Sequence, residues 1–288
     1  MITQDYSYKK TLKYFLENSD EDSVDSDAIL QFLSKHLITR NILGRHLRWL
    51  DIGTGPATKI ISMLKMWSKY SDNNLPSIHL LDPSKSWLSE AKLAFEKAGF
   101  ERQLNRIYEC TWEEFIEGKD FKLELDIITF LHSIYGFKVQ KSRHIKSLKY
   151  LEKFLCRHGW ACFAIESPKS DLYEIKREVY PLFTFKLVDY NILESTFKSF
   201  GWKYFVSDDL VQKFYLGMHH CERDKAINNY DAISFVIQAT PEKCYEEIST
   251  EKLNAIKKAV DKRLKSDNLG WYIFVHDRIY WTQCRKEK

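Results

Sequence analysis

No apolar run in this chain approaches membrane-spanning length, and the opening segment MITQDYSYKKTLKYFLENSDEDSVDS lacks a basic stretch followed by an apolar one. Both absences argue against a membrane span or a secretory leader, so a cytoplasmic protein with no membrane partner is expected. Paired cysteines are also missing. The six cysteines stand at 110, 156, 162, 221, 244 and 284 with no Cys-x-x-Cys, which reads as reduced thiols rather than a disulfide framework. His219, His220 and Cys221 are adjacent, but sequence neighbours rarely converge on one metal, and no matching ligand pair appears elsewhere. No metal site is expected. An excess of one charge is absent too: 44 Lys and Arg face 40 Asp and Glu, a net +4 that does not indicate a nucleic-acid binder. The basic run from Lys138 to Arg157 has helical spacing and reads as a solvated helix face, not a phosphate-binding stripe. There is no internal repeat and no low-complexity segment.

What is present is a chain of 288 residues with 44% hydrophobic and 15% aromatic residues, enough to bury a sizeable core in one large domain with appendages. Apolar runs of strand length alternate with longer segments of helical period, the pattern of a mostly parallel sheet covered by helices on both faces. Seven strands are expected, at 47–52, 77–82, 105–109, 125–131, 160–166, 202–207 and 232–239. Helices are expected at PATKIISMLKMWSKY, at SKSWLSEAKLAFEKAG stopped by Gly99, at QKSRHIKSLKYLEKFLCRHG stopped by Gly159, and from Asp189 to Phe200 before Gly201. Residues 1–45 read as an N-terminal helical lid whose acidic stretch NSDEDSVDSD is a solvated loop and N-cap for AILQFLSKHLI. The core is placed at 46–240, and 241–288 reads as a C-terminal extension with the helix STEKLNAIKKAVDKRL and one or two strands in GWYIFVHDRIYWTQ.

The most informative stretch is LRWLDIGTGPATKIISML, a strand, an acid, two glycines and a helix. Glycines there let the chain turn sharply and let a ligand approach the backbone. A phosphate is a poor match. The Walker pattern is absent, Thr58 stands where a dinucleotide loop has its third glycine, and Pro56, expected at the first helical position, lacks an N–H. Asp51 sets a negative charge beside the turn, so a cationic ligand without phosphate fits better.

The segment LDIGTGPAT resembles the first motif of class I S-adenosylmethionine (SAM)-dependent methyltransferases, a Rossmann-like α/β fold. That resemblance assigns Asp51, Gly53, Thr54 and Gly55 to the methionine part of SAM, and Asp82 with Pro83 to its ribose; Asp82 ends SIHLLD, 27 residues after Gly55. It assigns Cys110, Thr111 and Trp112 to the adenine, and Leu131, at the end of the fourth strand, to the border of the methyl donor. The Asn/Asp-Pro-Pro-Tyr/Phe motif of enzymes that methylate base amines is absent, since that place reads FLHSIYGF. A small-molecule substrate is therefore expected rather than nucleic acid.

Over residues 8–240, the order of YFLENS, LDIGTGPATKIISML, HLLDPSKSWLSEAK, IITFLHSIYGFK, LVDYNILESTFKSFGWKYF and AISFVIQA is similar to the histamine N-methyltransferase-like enzymes. This narrower resemblance implies a cationic amine substrate held by Glu17, with His132 and Asp231 standing where that family has a glutamine and an asparagine. His132 is the candidate proton acceptor. Tyr135 and Phe15 are candidates for an aromatic wall around a cation. N-methylation with S-adenosylhomocysteine (SAH) as product is the leading expectation. O-methylation of a carboxylate or phenol, and a SAM-binding regulatory protein without chemistry of its own, are its rivals.

Overall fold

The structure, a computed structural model, describes residues 2–38, 46–69, 74–118, 123–134, 147–179, 191–238 and 248–284. In chain order the elements are α1 (Ile2–Glu17), α2 (Glu21–Leu33), a wide helical turn at Ser34–Ile38, β1 (Arg48–Ile52), α3 (Thr58–Ser68), β2 (Ser77–Leu81), α4 (Lys85–Ala98) and β3 (Leu104–Tyr108). There follow α5 (Trp112–Glu117), β4 (Leu125–Leu131), α6 (Leu151–Phe154), β5 (Leu155–Glu166), α7 (Asp171–Val179), α8 (Asn191–Phe200) and β6 (Lys203–Val206). The chain ends in β7 (Leu210–Met218), α9 (Arg223–Ile227), α10 (Tyr230–Gln238), α11 (Thr250–Asp261), β8 (Lys265–Ser266) and β9 (Gly270–Gln283). Nine strands join where seven were expected, in the order β3-β2-β1-β4-β5-β9-β6, with β7 and β8 also pairing to β9.

The residues fall into two compact units. One comprises Asp25–Ile165, Tyr190–Asp208 and Arg278–Lys288. Its strands β1 to β5 are parallel, with Asp51 opposite Leu80 on one side and Thr129 on the other. Parallel strands covered on both faces read as continuous apolar runs; accordingly β2 and the first six residues of β4 are buried throughout, whereas the edge strand β3 is largely exposed. Phe130 stacks on Phe163 across β4 and β5, and Trp112, Phe115, Phe154, Phe197 and Tyr280 pack into the same core.

The other unit comprises Met1–Val24, Glu166–Asp189 and Asp209–Asp277. There β7 runs antiparallel to the first half of β9, and α1, α7, α10 and α11 contribute to a core that includes Phe15, Ile175, Phe214, Ile233, Val260 and Ile273. Phe15 is stacked on Phe235 and set edge-on to Phe214, so it serves packing rather than a wall around a cation.

Three expectations are corrected. AISFVIQA, read as a strand at 232–239, lies in helix α10 up to Gln238. A short apolar run has no period that separates strand from helix; the deciding signal is Asn229, whose side-chain oxygen accepts from the backbone of Asp231 and Ala232 as an N-cap. Gly159 does not stop a helix. It sits inside β5 beside the register shift opposite Leu125 and Ile127, where a Cβ would approach the Leu125 carbonyl to 2.9 Å. The acidic stretch is not a solvated loop either: α2 begins at Glu21 and carries Asp25 and Ser26 fully buried. The limits of the two units also differ from the sequence divisions 1–45, 46–240 and 241–288.

Candidate active site

The sheet's strand order reverses between β1 and β4, and in open α/β sheets the crevice at the carboxyl ends of such strands is where ligands bind. The turn after β1 is shaped by two glycines in the left-handed region, Gly53 at φ +68° and Gly55 at φ +52°. At Gly53 a Cβ would lie 2.3 Å from the Ser133 Cβ, so no other residue fits without displacing the end of β4. Helix α3 begins at Thr58 after Ala57, two residues beyond the Pro56 start that was expected.

The backbone donors of this turn are satisfied from within. Gly53 and Thr54 donate to the Leu81 carbonyl at 2.7 and 3.3 Å, Gly55 donates to Asp82 Oδ2 at 3.0 Å, and Ala57 donates to the Thr54 carbonyl at 2.9 Å. Asp82 Oδ1 accepts from Ser84 N–H at 2.8 Å, so this buried carboxylate locks the end of β2 to the glycine turn. A phosphate cradle needs outward-facing N–H groups; here the N–H groups of Gly53, Thr54 and Gly55 are spent on Leu81 and Asp82.

Asp51 is buried at the end of β1. Its Oδ1 accepts from the Thr129 hydroxyl at 2.5 Å, and that oxygen in turn accepts from Trp49 Nε1 at 2.9 Å. Burial pushes the Asp51 carboxyl up to about 6, with the Thr129 hydrogen bond opposing the rise and the nearby Asp82 charge adding to it. The buried Ser133 hydroxyl, beside Gly53, makes no hydrogen bond among the described residues. Two acids and a hydroxyl therefore border the turn, and the Lys59 charge, from the first turn of α3, also acts on Asp51 and opposes the rise.

His132 directly follows β4 in the left-handed region, at φ +55°, with its N–H bonded to the Ala164 carbonyl at 3.0 Å. Its Nε2 lies 3.4 Å from Asp25 Oδ2, and Lys59 Nζ lies 2.6 Å from the same oxygen. Asp25 belongs to α2 and Lys59 to the first turn of α3, where Ser26 Oγ also donates to the Lys59 carbonyl at 3.4 Å. Burial works to raise the Asp25 carboxyl, but the Lys59 charge and the His132 hydrogen bond outweigh it and hold Asp25 below its ordinary range.

Sequence reasoning did not single out Asp25 or Lys59. A signal existed for each: Lys59 stands on the buried stripe with Met63 and Trp67, four residues apart, and Asp25 precedes Ile29 and Leu33 at the same spacing.

Asp51, Gly53, Thr54, Gly55, Asp82, Leu131 and His132 all stand at the ends of β1, β2 and β4. Pro83 is exposed beside them. After β3, Cys110 is partly buried, and burial raises its thiol. Thr111 is committed to a capping box with Glu114, and Trp112 is packed against Phe115, Phe130 and Phe154. In the other unit, Glu17 ends α1, exposed, 3.8 Å from Lys13 Nζ, and Asp231 lies in the first turn of α10, 2.8 Å from Lys10 Nζ. Tyr135 lies outside the described residues.

The sequence matches no protein-family model and no curated protein. Among solved structures, the chain is similar to the YcgJ protein of Bacillus subtilis, at 13% identity over 84% of this chain and 93% of that one, with a TM-score of 0.52. Also matched are an S-adenosylmethionine-dependent methyltransferase of Clostridium acetobutylicum (15% identity, 90% and 89% covered, TM-score 0.42) and geranyl diphosphate C-methyltransferase of Streptomyces coelicolor (10%, 89% and 75%, 0.43). The first likeness establishes the fold, an α/β architecture with a mainly parallel central sheet flanked by helices.

Proposed function

We propose that this chain is a SAM-dependent methyltransferase acting on a small molecule. One observation carries the reading: the glycine turn after β1 spends its N–H groups on Leu81 and Asp82 while two buried acids, Asp51 and Asp82, border it. Such a turn repels pyrophosphate and suits a cationic cofactor that carries no phosphate. SAM is one, and it supplies an electrophilic methyl group on a sulfonium. Gly53 and Gly55 admit its methionine portion, Asp51 and the Ser133 hydroxyl offer polar partners there, and Asp82 takes the ribose. Cys110 is the candidate for the adenine side, since Thr111 and Trp112 are engaged elsewhere.

Displacement at a sulfonium creates little charge, so the protein's task is to align the acceptor and exclude water. The acceptor must lose a proton, and each pKa unit to be overcome costs about 1.4 kcal/mol. His132, partly exposed at the end of β4, takes that proton. An amine nitrogen is the first acceptor to test, with Glu17 and Asp231 as binders of its cationic form. The pairing of Glu17 with Lys13 and of Asp231 with Lys10 favours a second reading, transfer to a phenol or carboxylate oxygen.

A labelled-methyl screen over amines, phenols and carboxylic acids separates the two. The amine reading predicts transfer to amines that falls in Glu17→Gln and Asp231→Asn through a raised KM. The oxygen reading predicts transfer to neutral acceptors that both substitutions leave unchanged. SAH binding without transfer to any acceptor sinks both and leaves a regulatory SAM binder.

A further inference from the structure

Asp51 is met by two residues that the cofactor reading leaves unassigned. Trp49 and Thr129 are both fully buried, Trp49 two residues before Asp51 on β1 and Thr129 opposite Asp51 on β4. Trp49 Nε1 lies 2.9 Å from Thr129 Oγ1, which lies 2.5 Å from Asp51 Oδ1. The direction of this chain is set by the chemistry of its groups. An indole nitrogen only donates, a carboxylate only accepts, and a hydroxyl has one proton to give. With Asp51 ionised, Thr129 therefore accepts from Trp49 and donates to Oδ1. Trp49 is itself packed beside Trp67 of α3, with ring centres 6.3 Å apart. Valine has the shape of threonine without the polar atom, and burying a hydroxyl is costly, so packing alone does not call for Thr129.

The charge that this chain supports is opposed by its surroundings. Burial lifts the Asp51 carboxyl to about 6, and the Asp82 charge at the end of β2 adds to the rise; Thr129, the Thr54 hydroxyl and the Lys59 charge of α3 favour the ionised form. The Thr54 hydroxyl makes no hydrogen bond of ordinary geometry, so Thr129 is the directional partner. On β5, Cys162 lies opposite Thr129, and burial, with the Asp25 charge of α2 and the Asp51 charge, keeps its thiol neutral. With Oδ1 tied to the sheet, Oδ2 is the oxygen with capacity for a ligand. A cationic group there supplies the compensation that burial withholds.

We infer that Thr129, oriented by Trp49, is a positioning residue for the cofactor: it ties Asp51 Oδ1 to the sheet, so that Oδ2 receives the ammonium of the methionine portion and Asp51 releases its proton to water on binding. The inference rests on the SAM reading for its ligand. Proton and ammonium compete for one carboxylate, so affinity for an ammonium-bearing ligand falls as the pH drops through about 6.

The test is carbon-13 NMR of the aspartate carboxyls in the full chain, with Asp51→Asn used to assign the signal. Without ligand, the Asp51 carboxyl is expected to titrate near pH 6. Saturating SAH is expected to lower that midpoint by about one unit or more, whereas methylthioadenosine, which shares the nucleoside and thioether but lacks the ammonium, leaves it in place. A midpoint that SAH does not move, or that both ligands move equally, overturns the inference. The hydroxyl is tested by Thr129→Val and Thr129→Ser. SAH affinity by calorimetry is expected to fall about tenfold in the valine variant and to hold in the serine variant. A valine variant that binds like the wild type, or a serine variant that loses as much, overturns the role of the hydroxyl. In the wild type the Thr129 hydroxyl proton is expected to be protected from exchange and to shift with the Asp51 titration; a freely exchanging hydroxyl overturns the inference even if the valine variant does not fold. Calorimetry on the wild type separates the two failures. Absent SAH binding removes the cofactor reading and the role with it, whereas binding with an unmoved Asp51 midpoint removes only the positioning by Thr129.

Discussion

At the scale of single residues, the buried carboxylates carry the account. Asp82 accepts Gly55 N–H and Ser84 N–H, so Asp82→Ala both loosens the turn and deletes the expected ribose partner. A lost charged hydrogen bond costs roughly 1.5–3 kcal/mol, so SAH affinity measured by calorimetry should fall about tenfold or more; unchanged affinity would exclude Asp82 from the site. Asp51 gives a pH-dependent prediction. Its folded pKa of about 6 lies above the ordinary aspartate value of 3.8, so its folded state holds the proton more tightly. Its contribution to stability is therefore complete below pH 3.8 and is lost as the pH rises through about 6, a slope worth up to about 3 kcal/mol. Asp51→Asn should flatten that part of the melting-temperature profile. A profile unaltered between pH 4 and pH 7 would show that burial does not strain the carboxylate. These acids stand at strand ends and were legible in the sequence. Asp25 was not, because an acid in a run of acids reads as solvated until its partner on another helix is known.

At the scale of elements, the turn between β1 and α3 is the most constrained. Gly53→Ala meets both a left-handed backbone and the Ser133 Cβ, and should destabilise the protein by about 2 kcal/mol or more. Adding Ser133→Gly removes the clash and leaves the backbone strain, so the double variant should melt between the single variant and the wild type; a melting temperature no higher than that of the single variant would contradict the stated contact. Elements with a single unambiguous period were readable in advance. β1, β2, β4, α3 and α4 lie within a residue or a few of their expected limits, because long apolar runs bounded by Asp, Gly or Pro leave few alternatives. α10 was misread since its capping residue, Asn229, was not weighed against the β-branched content of AISFVIQ. β7 went unrecognised for a related reason: LVQKFYLGM carries Gln and Lys among its apolar residues, and its pairing partner, β9, begins more than fifty residues later in the chain.

At the scale of the whole molecule, β9 has an importance that its position near the end of the sequence hides. Its first half carries Ile273 and Val275 into one core and its second half carries Tyr280 and Trp281 into the other unit, while pairing with β6 through Lys203 to Val206. Deleting residues 270–288 should therefore abolish cooperative unfolding of the protein; a deletion variant that melts as the wild type does would contradict this topology. The general plan, strands alternating with helices, was legible because a parallel sheet imposes that alternation on any sequence. The placing of the last strand was not, since long-range antiparallel pairing leaves no local signature. None of the described helices is long and apolar enough to cross a membrane. The most direct test of the central claim is a calorimetric titration of the purified full chain with SAH. Saturable binding with one-to-one stoichiometry is the predicted result, accompanied near pH 6 by a proton change that vanishes in Asp51→Asn. No heat and no saturation at any ligand concentration would mean that the Asp51 to Thr58 turn is a structural corner, and the methyltransferase reading would be wrong.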